Sequence, residues 1–205
     1  MATETKNAVD RFISQTRELF SQEPDVAKRW KALKPILAEL LADPEVREAS
    51  QRWPTPGVVE GRGGNLLFYE DPDYGFVING QVHEARQAPS EPASAHDHGQ
   101  NYTAYGLLDG HERIVIFERS DDRSRPDYAE VRKTADYIAG PGDIHLAEPK
   151  DVHIEMSIGE RTTSVIVRSM RDGGPNNLHG RYDLLTNKYH ESPGPRQVPA
   201  EMLPK

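Results

Sequence analysis

The sequence contains no cysteine in its 205 residues. Disulfides, thiolate metal ligands and cysteine nucleophiles are therefore excluded, and a metal ion would have to be held by histidine, aspartate or glutamate. Positive charge is also scarce, because 25 lysines and arginines stand against 33 aspartates and glutamates, giving a net charge of −8. This balance argues against a nucleic-acid-binding protein, which needs a basic face.

Long hydrophobic runs are missing as well. No apolar stretch approaches the roughly 20 residues of a membrane span, and the N-terminus lacks the apolar core of a signal peptide. We therefore expect a cytoplasmic protein with no membrane partner. Hydrophobic residues make up only 36% of the chain, but they are clustered and the aromatic residues are spread along it, which predicts a folded domain.

The first 52 residues predict a helical segment packed on the domain that follows. Apolar side chains recur at helical spacing within residues 5–22. Asp25 is expected to cap a second helix, in which Pro35 should cause a kink or a break. Asp43 precedes a proline, which is the arrangement typical of a cap followed by the first turn of a short third helix.

Beyond Trp53 the pattern changes to short β-like runs separated by turn residues. The predicted strands cover residues 65–69, 75–81, 101–108, 112–118, 135–139, 143–147, 153–157 and 164–168. Turn signals between them include Asp109-Gly110 and Ile158-Gly159. Many short strands at this spacing indicate a sandwich or barrel, which we assign to residues 53–172. We expect residues 173–205 to form an extended tail on the surface or on a neighbouring subunit.

Two histidines one residue apart, His96 and His98, are the first candidate metal ligands. Residues i and i+2 of a strand face the same way, so both imidazoles can converge on one ion. Gln100 and Tyr102 share that parity and are candidates for contacting a metal-bound substrate. The alternative is a polar loop carrying two exposed histidines.

The stretch around these histidines and a second stretch further on resemble the two motifs of the cupin superfamily. In the first, Gly110 falls at the expected interval after the histidine pair, and Thr103 occupies the position that usually holds glutamate. In the second, His153 follows Gly142 by the expected eleven residues. The resemblance implies a mainly β fold, the cupin double-stranded β-helix or jelly-roll-like barrel, with the N-terminal helices outside it.

Within the superfamily the chain resembles the cysteine dioxygenase-like branch. Three features carry the resemblance: His96-Asp97-His98 with an aliphatic run ending in Leu-Leu-Asp-Gly, the missing glutamate, and the helices ahead of the barrel. It implies that His96, His98 and His153 hold one Fe(II), at which O₂ oxidises a small thiol or a related polar organic acid. Cupins often pair through sheet edges, so the resemblance is also compatible with a homodimer.

The residues themselves leave other metals and classes open. An open facial site with nitrogen ligands suits iron(II). Three histidines with a water also suit zinc, and a cupin lyase, isomerase or hydrolase would use Zn, Ni or Mn as a Lewis acid. A cupin that binds a metal or ligand without catalysis is a third alternative. His145 is expected to be a buried, hydrogen-bonded histidine, with a ligand role as the alternative, whereas His83, His179 and His190 fall in predicted loops and are assigned no role.

The chain departs from the family where substrate is recognised. Thr103 stands where animal thiol dioxygenases have a cysteine, so a thioether crosslink to tyrosine cannot form. Gly64 precedes Asn65, where the family has an arginine that grips the substrate carboxylate, and the nearest arginine is Arg62. Cysteine is therefore a doubtful substrate.

Arg168 is the predicted replacement for that missing arginine. It shares a strand face with Ser164 and Ile166, and the resemblance implies that this face lines the cavity. A guanidinium there can bind a substrate carboxylate through two parallel hydrogen bonds. The alternative is an arginine at a strand end that pairs with an acidic neighbour.

Overall fold

The structure is a computed structural model and describes residues 7–59, 63–84, 95–171 and 177–204. Three helices come first: α1 (Ala8–Gln22), α2 (Val26–Ala42) and α3 (Pro44–Ser50). Each begins at the expected kind of cap, because Asn7, Asp25 and Asp43 accept hydrogen bonds from amides of the first turn. Pro35 lies inside α2 without dividing it. Proline has no N–H to donate to the helix. The burial of Leu33 and Leu37 on either side of it offsets that missing hydrogen bond.

Ten strands form one curled sheet. In chain order they are β1 (Gly64–Glu70), β2 (Val77–Glu84), β3 (Ala95–His96), β4 (Thr103–Arg119), β5 (Val131–Ala139), β6 (Ile144–Ala147), β7 (Val152–Arg168), β8 (Leu178–Tyr182), β9 (Tyr189–Pro193) and β10 (Arg196–Pro199). The long strands β4 and β7 pair antiparallel along most of their lengths. On its other side β7 pairs with β2 and with β3. The predicted mainly β fold class with N-terminal helices is confirmed.

Two predicted turns are bends inside long strands. Gly110 and Gly159 have φ values of 79° and 100°, as the turn prediction required, but the chain continues in β4 and β7 instead of reversing. Register shifts between Leu107 and His111 mark the bend in β4. A bulge of this kind bends a strand and increases its twist, which is how one strand replaces two shorter ones here.

The segment after β7 joins the sheet. In its described part, residues 177–204, β8 pairs with both β3 and β9, and β10 runs parallel to β1 along its edge. The sequence analysis expected an extended tail and did not predict these strands. Proline counts against a strand in sequence analysis, yet it is tolerated in edge strands and at strand ends. The boundary at residues 172–173 and Arg62 lie outside the described residues.

The helices cover one face of the sheet and leave the other as an interior. Ala104 and Leu108 of β4 pack into the core that contains the buried side chains of α1 and α2, whereas Tyr105 and Leu107 face the opposite way. Gly106 lets α2 come close, since a Cβ atom there would lie 2.6 Å from a methyl of Leu41. No helix among the described residues is long and apolar enough to cross a bilayer.

Candidate metal centre

Three histidines meet on the inner face of the sheet. His96 on β3 lies directly opposite His153 on β7, and His98 follows in the turn after β3. One ring nitrogen of each lies within 4.8 Å of the others, and the ring centroids are 4.7–5.2 Å apart. His98 and His153 are buried and His96 is half-buried. The structure thus brings together the three residues that the sequence predicts as ligands.

Ring nitrogens of His98 and His153 are available to bind a ligand. Nδ1 of His153 lies 3.1 Å from the carbonyl oxygen of Asp151, so Nδ1–H donates there and Nε2 is the nitrogen that a metal would bind after displacing its proton. Within the described chain, neither Nε2 of His153 nor Nδ1 of His98 has a hydrogen-bond partner, and both are buried. Buried nitrogens without partners are unfavourable unless something binds them. The donor set therefore fits a divalent metal ion.

Electrostatics favour the neutral, metal-binding form of His98. Burial lowers the pKa of His98 well below its ordinary value, and the positive charges of His153 and Arg168 lower it further. For His153, burial also opposes protonation, but Glu155 and Asp151 together outweigh it and raise its pKa. Oε1 of Glu155 lies 3.5 Å from Nε2 of His153, which is an ion-pair distance without hydrogen-bond geometry.

Asp97 fixes the loop that carries His98. Its buried carboxylate accepts hydrogen bonds from the amides of Gly99 at 2.7 Å and Gly180 at 3.0 Å, and from the hydroxyl of Tyr182 at 2.7 Å. Gly99 has φ of +63°, and a Cβ atom there would collide with the backbone of the next sheet segment. Sequence reasoning missed Asp97, whose one visible signal is its position between the two histidines.

The turn at Gly99 also decides where Gln100 and Tyr102 lie. Because β3 ends at His96 and the chain reverses, the strand parity that predicted both residues at the metal no longer applies. Gln100 is exposed in the turn. The ring of Tyr102 stacks on Trp30 of α2, with centroids 6.0 Å apart. The structure does not bring either side chain to the histidine cluster.

Two more histidines flank the cluster. His179 on β8 is buried, with its ring centroid 5.3 Å from that of His98; sequence reasoning missed it because β8 was not predicted. His145 on β6 lies with its ring centroid 5.6 Å from that of His153, and its Nδ1 is 3.4 Å from the Tyr137 hydroxyl. Burial, and then the charge of His153, lower the pKa of His145 to about 4. His145 is thus neutral at physiological pH.

Arg168 lies inside the fold, at the end of β7. It is 3% exposed, and its Nη1 donates to Oδ1 of Asn79 at 3.2 Å. Oδ1 of Asn65 also accepts from Nη1, at 3.0 Å, in the amide orientation that satisfies both neighbours. The guanidinium therefore lies beside Asn65, the residue that follows the position of the missing family arginine. Its role toward a substrate carboxylate stays a prediction.

A cavity of about 320 Å³ opens next to His145. Aromatic and aliphatic side chains dominate its lining, including Tyr105, Leu107, Ile114 and Tyr137. Its size lies at the small end of the range of roughly 300–1,000 Å³ typical of ligand pockets. His145 lies between the cavity and the ring of His153, and none of the three clustered histidines is among the residues that line the cavity.

A second polar group lies on the inner face, around Glu112. Its fully buried carboxylate accepts hydrogen bonds from the hydroxyls of Tyr105 at 2.6 Å and Thr162 at 2.8 Å, and Nδ1 of His83 lies 3.2 Å away. His83 is on β2, where sequence reasoning placed a loop. Burial and the charge of Glu112 raise the pKa of Tyr105 well above its ordinary value. The hydrogen bond to Glu112 holds the side chain of Tyr105 in place where it lines the cavity.

Comparisons with known proteins place cupin and double-stranded β-helix proteins among the structural neighbours. No protein-family model matches the sequence, and a search of curated proteins found no significant match. Hydroquinone 1,2-dioxygenase from Sphingomonas sp. TTNP3 is similar with a TM-score of 0.42 and 9% identity, covering 76% of each chain. A Klebsiella pneumoniae protein with a double-stranded β-helix domain has a TM-score of 0.34 and 17% identity, covering 54% of this chain and 76% of its own. The Schizosaccharomyces pombe Cnp3 cupin domain has a TM-score of 0.33 and 9% identity, covering 52% of this chain and 64% of its own. The cysteine dioxygenase-like assignment stays a prediction.

Proposed function

We propose that this chain is a cupin-type, metal-dependent oxidoreductase that uses O₂ to oxidise a small thiol or a related polar organic acid. The observation that carries the proposal is the convergence of His96, His98 and His153 on one point, where buried nitrogens of His98 and His153 lack hydrogen-bond partners in the described chain. Fe(II) is the proposed metal, since three neutral nitrogens leave it open coordination positions.

Iron held by the three histidines would supply one-electron chemistry with O₂ and polarise a bound substrate. The chain's own groups supply the setting. Asp151 holds the imidazole of His153 in the ligating tautomer, and Asp97 holds the loop of His98. The cavity of about 320 Å³ beside His145 would admit only a small molecule. Arg168 is the proposed group for binding a substrate carboxylate.

The first test is metal content. Protein purified without added metal, and protein reconstituted anaerobically with Fe(II), should bind about one ion per chain by elemental analysis. His96→Ala should lose the ion. His190→Ala is the matched control, because His190 is exposed on β9, two strands from His96 across the sheet. Full metal binding by His96→Ala would refute the proposed centre.

The second test is an oxygen-electrode screen of the iron-loaded protein against small thiols and small organic acids. We expect O₂ consumption with at least one of them, and none with His96→Ala. Zinc-loaded protein that turns over a substrate without consuming O₂ would replace the oxidoreductase by the Lewis-acid alternative. Iron-loaded protein that consumes no O₂ with any substrate of either class would reject the proposed reaction.

A further inference from the structure

Lys150 has a left-handed backbone close to the histidine cluster. Its φ is +68°, a conformation that residues with a Cβ atom adopt uncommonly. Such a conformation persists only where the surrounding structure holds it, and it is found most often at functional sites. Lys150 lies in the turn between β6 and β7, shortly before His153. The strained residue therefore belongs to the turn that leads into one of the three histidines.

The backbone of Lys150 joins this turn to the turn of His98. Its amide donates a hydrogen bond to the carbonyl oxygen of Gly99, at 3.1 Å. Gly99 directly follows His98, and its own φ is +63°. The turn after His98 and the turn before His153 thus meet at two residues with left-handed backbones.

The side chain of Lys150 spans the same junction. Its Nζ lies 3.1 Å from Oε1 of Glu191 on β9 and 3.8 Å from Oδ1 of Asp97. The side chain of Asp97 is fully buried, and a buried carboxylate needs positive charge nearby to stay ionised at low cost. The ammonium of Lys150 supplies such a charge to the carboxylate that holds the turn of His98.

The two turns matter because strand pairing positions only part of the cluster. His96 lies on β3, and its register sets it directly opposite His153. His98 lies beyond the end of β3, so no strand register fixes its distance from His153. That distance depends on contacts between the turns, and Lys150 makes such contacts with both its amide and its ammonium.

We propose that Lys150 is a positioning residue of the metal centre, which ties the turn of His98 to the turn of His153 and sets the separation of these two ligands. The inference rests on the proposed function, because it concerns a metal at the three histidines. Ligands that are held at the required separation before the ion arrives bind it more tightly, since less conformational freedom is lost on binding.

The test removes the ammonium in two ways. Lys150→Gly keeps the amide and allows the positive φ without strain, so that it deletes the side chain alone. Lys150→Met keeps an unbranched side chain of similar length but removes the charge, and Lys150→Arg keeps the charge. Lys133→Met is the matched control, because Lys133 forms an exposed ion pair with Asp136 on β5.

Co²⁺ is the probe, with affinity measured by competition against a chelator and coordination read from its visible absorption. We expect Lys150→Gly and Lys150→Met to bind Co²⁺ about tenfold more weakly, with an altered spectrum. Lys150→Arg should recover the affinity to within about threefold and restore the wild-type spectrum. Lys133→Met should match the wild type in both measurements.

The outcomes separate the two proposals. Wild-type protein that binds no Co²⁺ refutes the metal centre itself. If the wild type binds Co²⁺ and Lys150→Gly binds it with equal affinity and the same spectrum, only the role of Lys150 is refuted. Weaker binding that Lys150→Arg does not recover also overturns the assignment to the ammonium. Should Lys150→Gly fail to fold, Glu191→Gln decides, because it releases the ammonium from β9, and an unchanged Co²⁺ affinity then contradicts the proposal.

Discussion

Asp97 shows how one side chain can position a metal site without belonging to it. Its carboxylate joins the amides of Gly99 and Gly180 and the hydroxyl of Tyr182. These contacts tie the His98 loop to β8, which is distant in sequence. They also exclude water from the loop, because Asp97 is fully buried.

Replacing Asp97 with Ala should lower the free energy of unfolding by about 3 kcal/mol, because three buried donors lose a charged acceptor. Tyr182→Phe removes only one of these bonds and should lower it by about 1 kcal/mol. Urea denaturation followed by circular dichroism measures both. Equal effects of the two variants would show that the Tyr182 bond alone matters.

The long strands and the helix α2 are the elements that shape the interior. Along β4, Ala104 and Leu108 face the helices, whereas Tyr105 and Leu107 face inward, as the alternation of a strand requires. Gly106 on β4 is the contact point of α2, where Leu37 and Leu41 pack against the bare backbone. The helix therefore holds β4 in place while contributing nothing to the histidine cluster.

Gly106→Val should push α2 away from β4, because even a Cβ atom there lies 2.6 Å from Leu41. We expect a loss of about 2 kcal/mol in unfolding free energy, in the range of overpacked cores. Co²⁺ affinity should stay within about threefold of the wild type, because substitutions at distant sites usually have independent effects on stability and binding. Gly57→Val is the control, because no atom lies within 4 Å of a Cβ at Gly57. A Gly106→Val protein as stable as this control would contradict the packing described here.

At the scale of the whole molecule, the interior is organised around ionisable groups. The side chains of Glu112 and Glu155, which are 1% and 8% exposed, and the histidine cluster lie on the inner side, while the apolar core lies between the sheet and the helices. A metal ion bound at the histidine cluster should therefore change the free energy of unfolding. Strand β10 covers the edge of β1, which protects the sheet from pairing with another chain there.

Metal binding should stabilise the folded molecule by mass action. With free Co²⁺ at a hundred times its dissociation constant, the free energy of unfolding should rise by about 2.7 kcal/mol. Thermal denaturation with Co²⁺ and after chelation measures the shift. His190→Ala should show the same rise as the wild type and His96→Ala none. A similar rise in His96→Ala would place the bound ion elsewhere.

The sequence by itself determined the features that depend on neighbouring residues. The caps at Asp25 and Asp43, the helical stripes and most strands could be read locally, because a side chain and its nearest amides decide them. The resemblance to the two cupin motifs implied the three histidines, and the structure brings these three together. The rule that alternate residues of a strand face the same way failed for Tyr102. The turn at Gly99 interrupts the strand between His98 and Tyr102, so the two residues do not belong to one alternating series.

Only the tertiary structure decided what surrounds the histidines. Pairing of β3 with β7 sets His96 opposite His153, and pairing of β8 with β3 brings His179 to His98. Glu155 shares a strand face with His153 by local alternation, and what the tertiary structure adds is the burial of its side chain. Register between strands that are far apart in sequence comes from packing and turn geometry across the whole sheet. For that physical reason, the histidine spacing could be read from the sequence, while the meeting of β3 with β7 and the burial around the histidines could not.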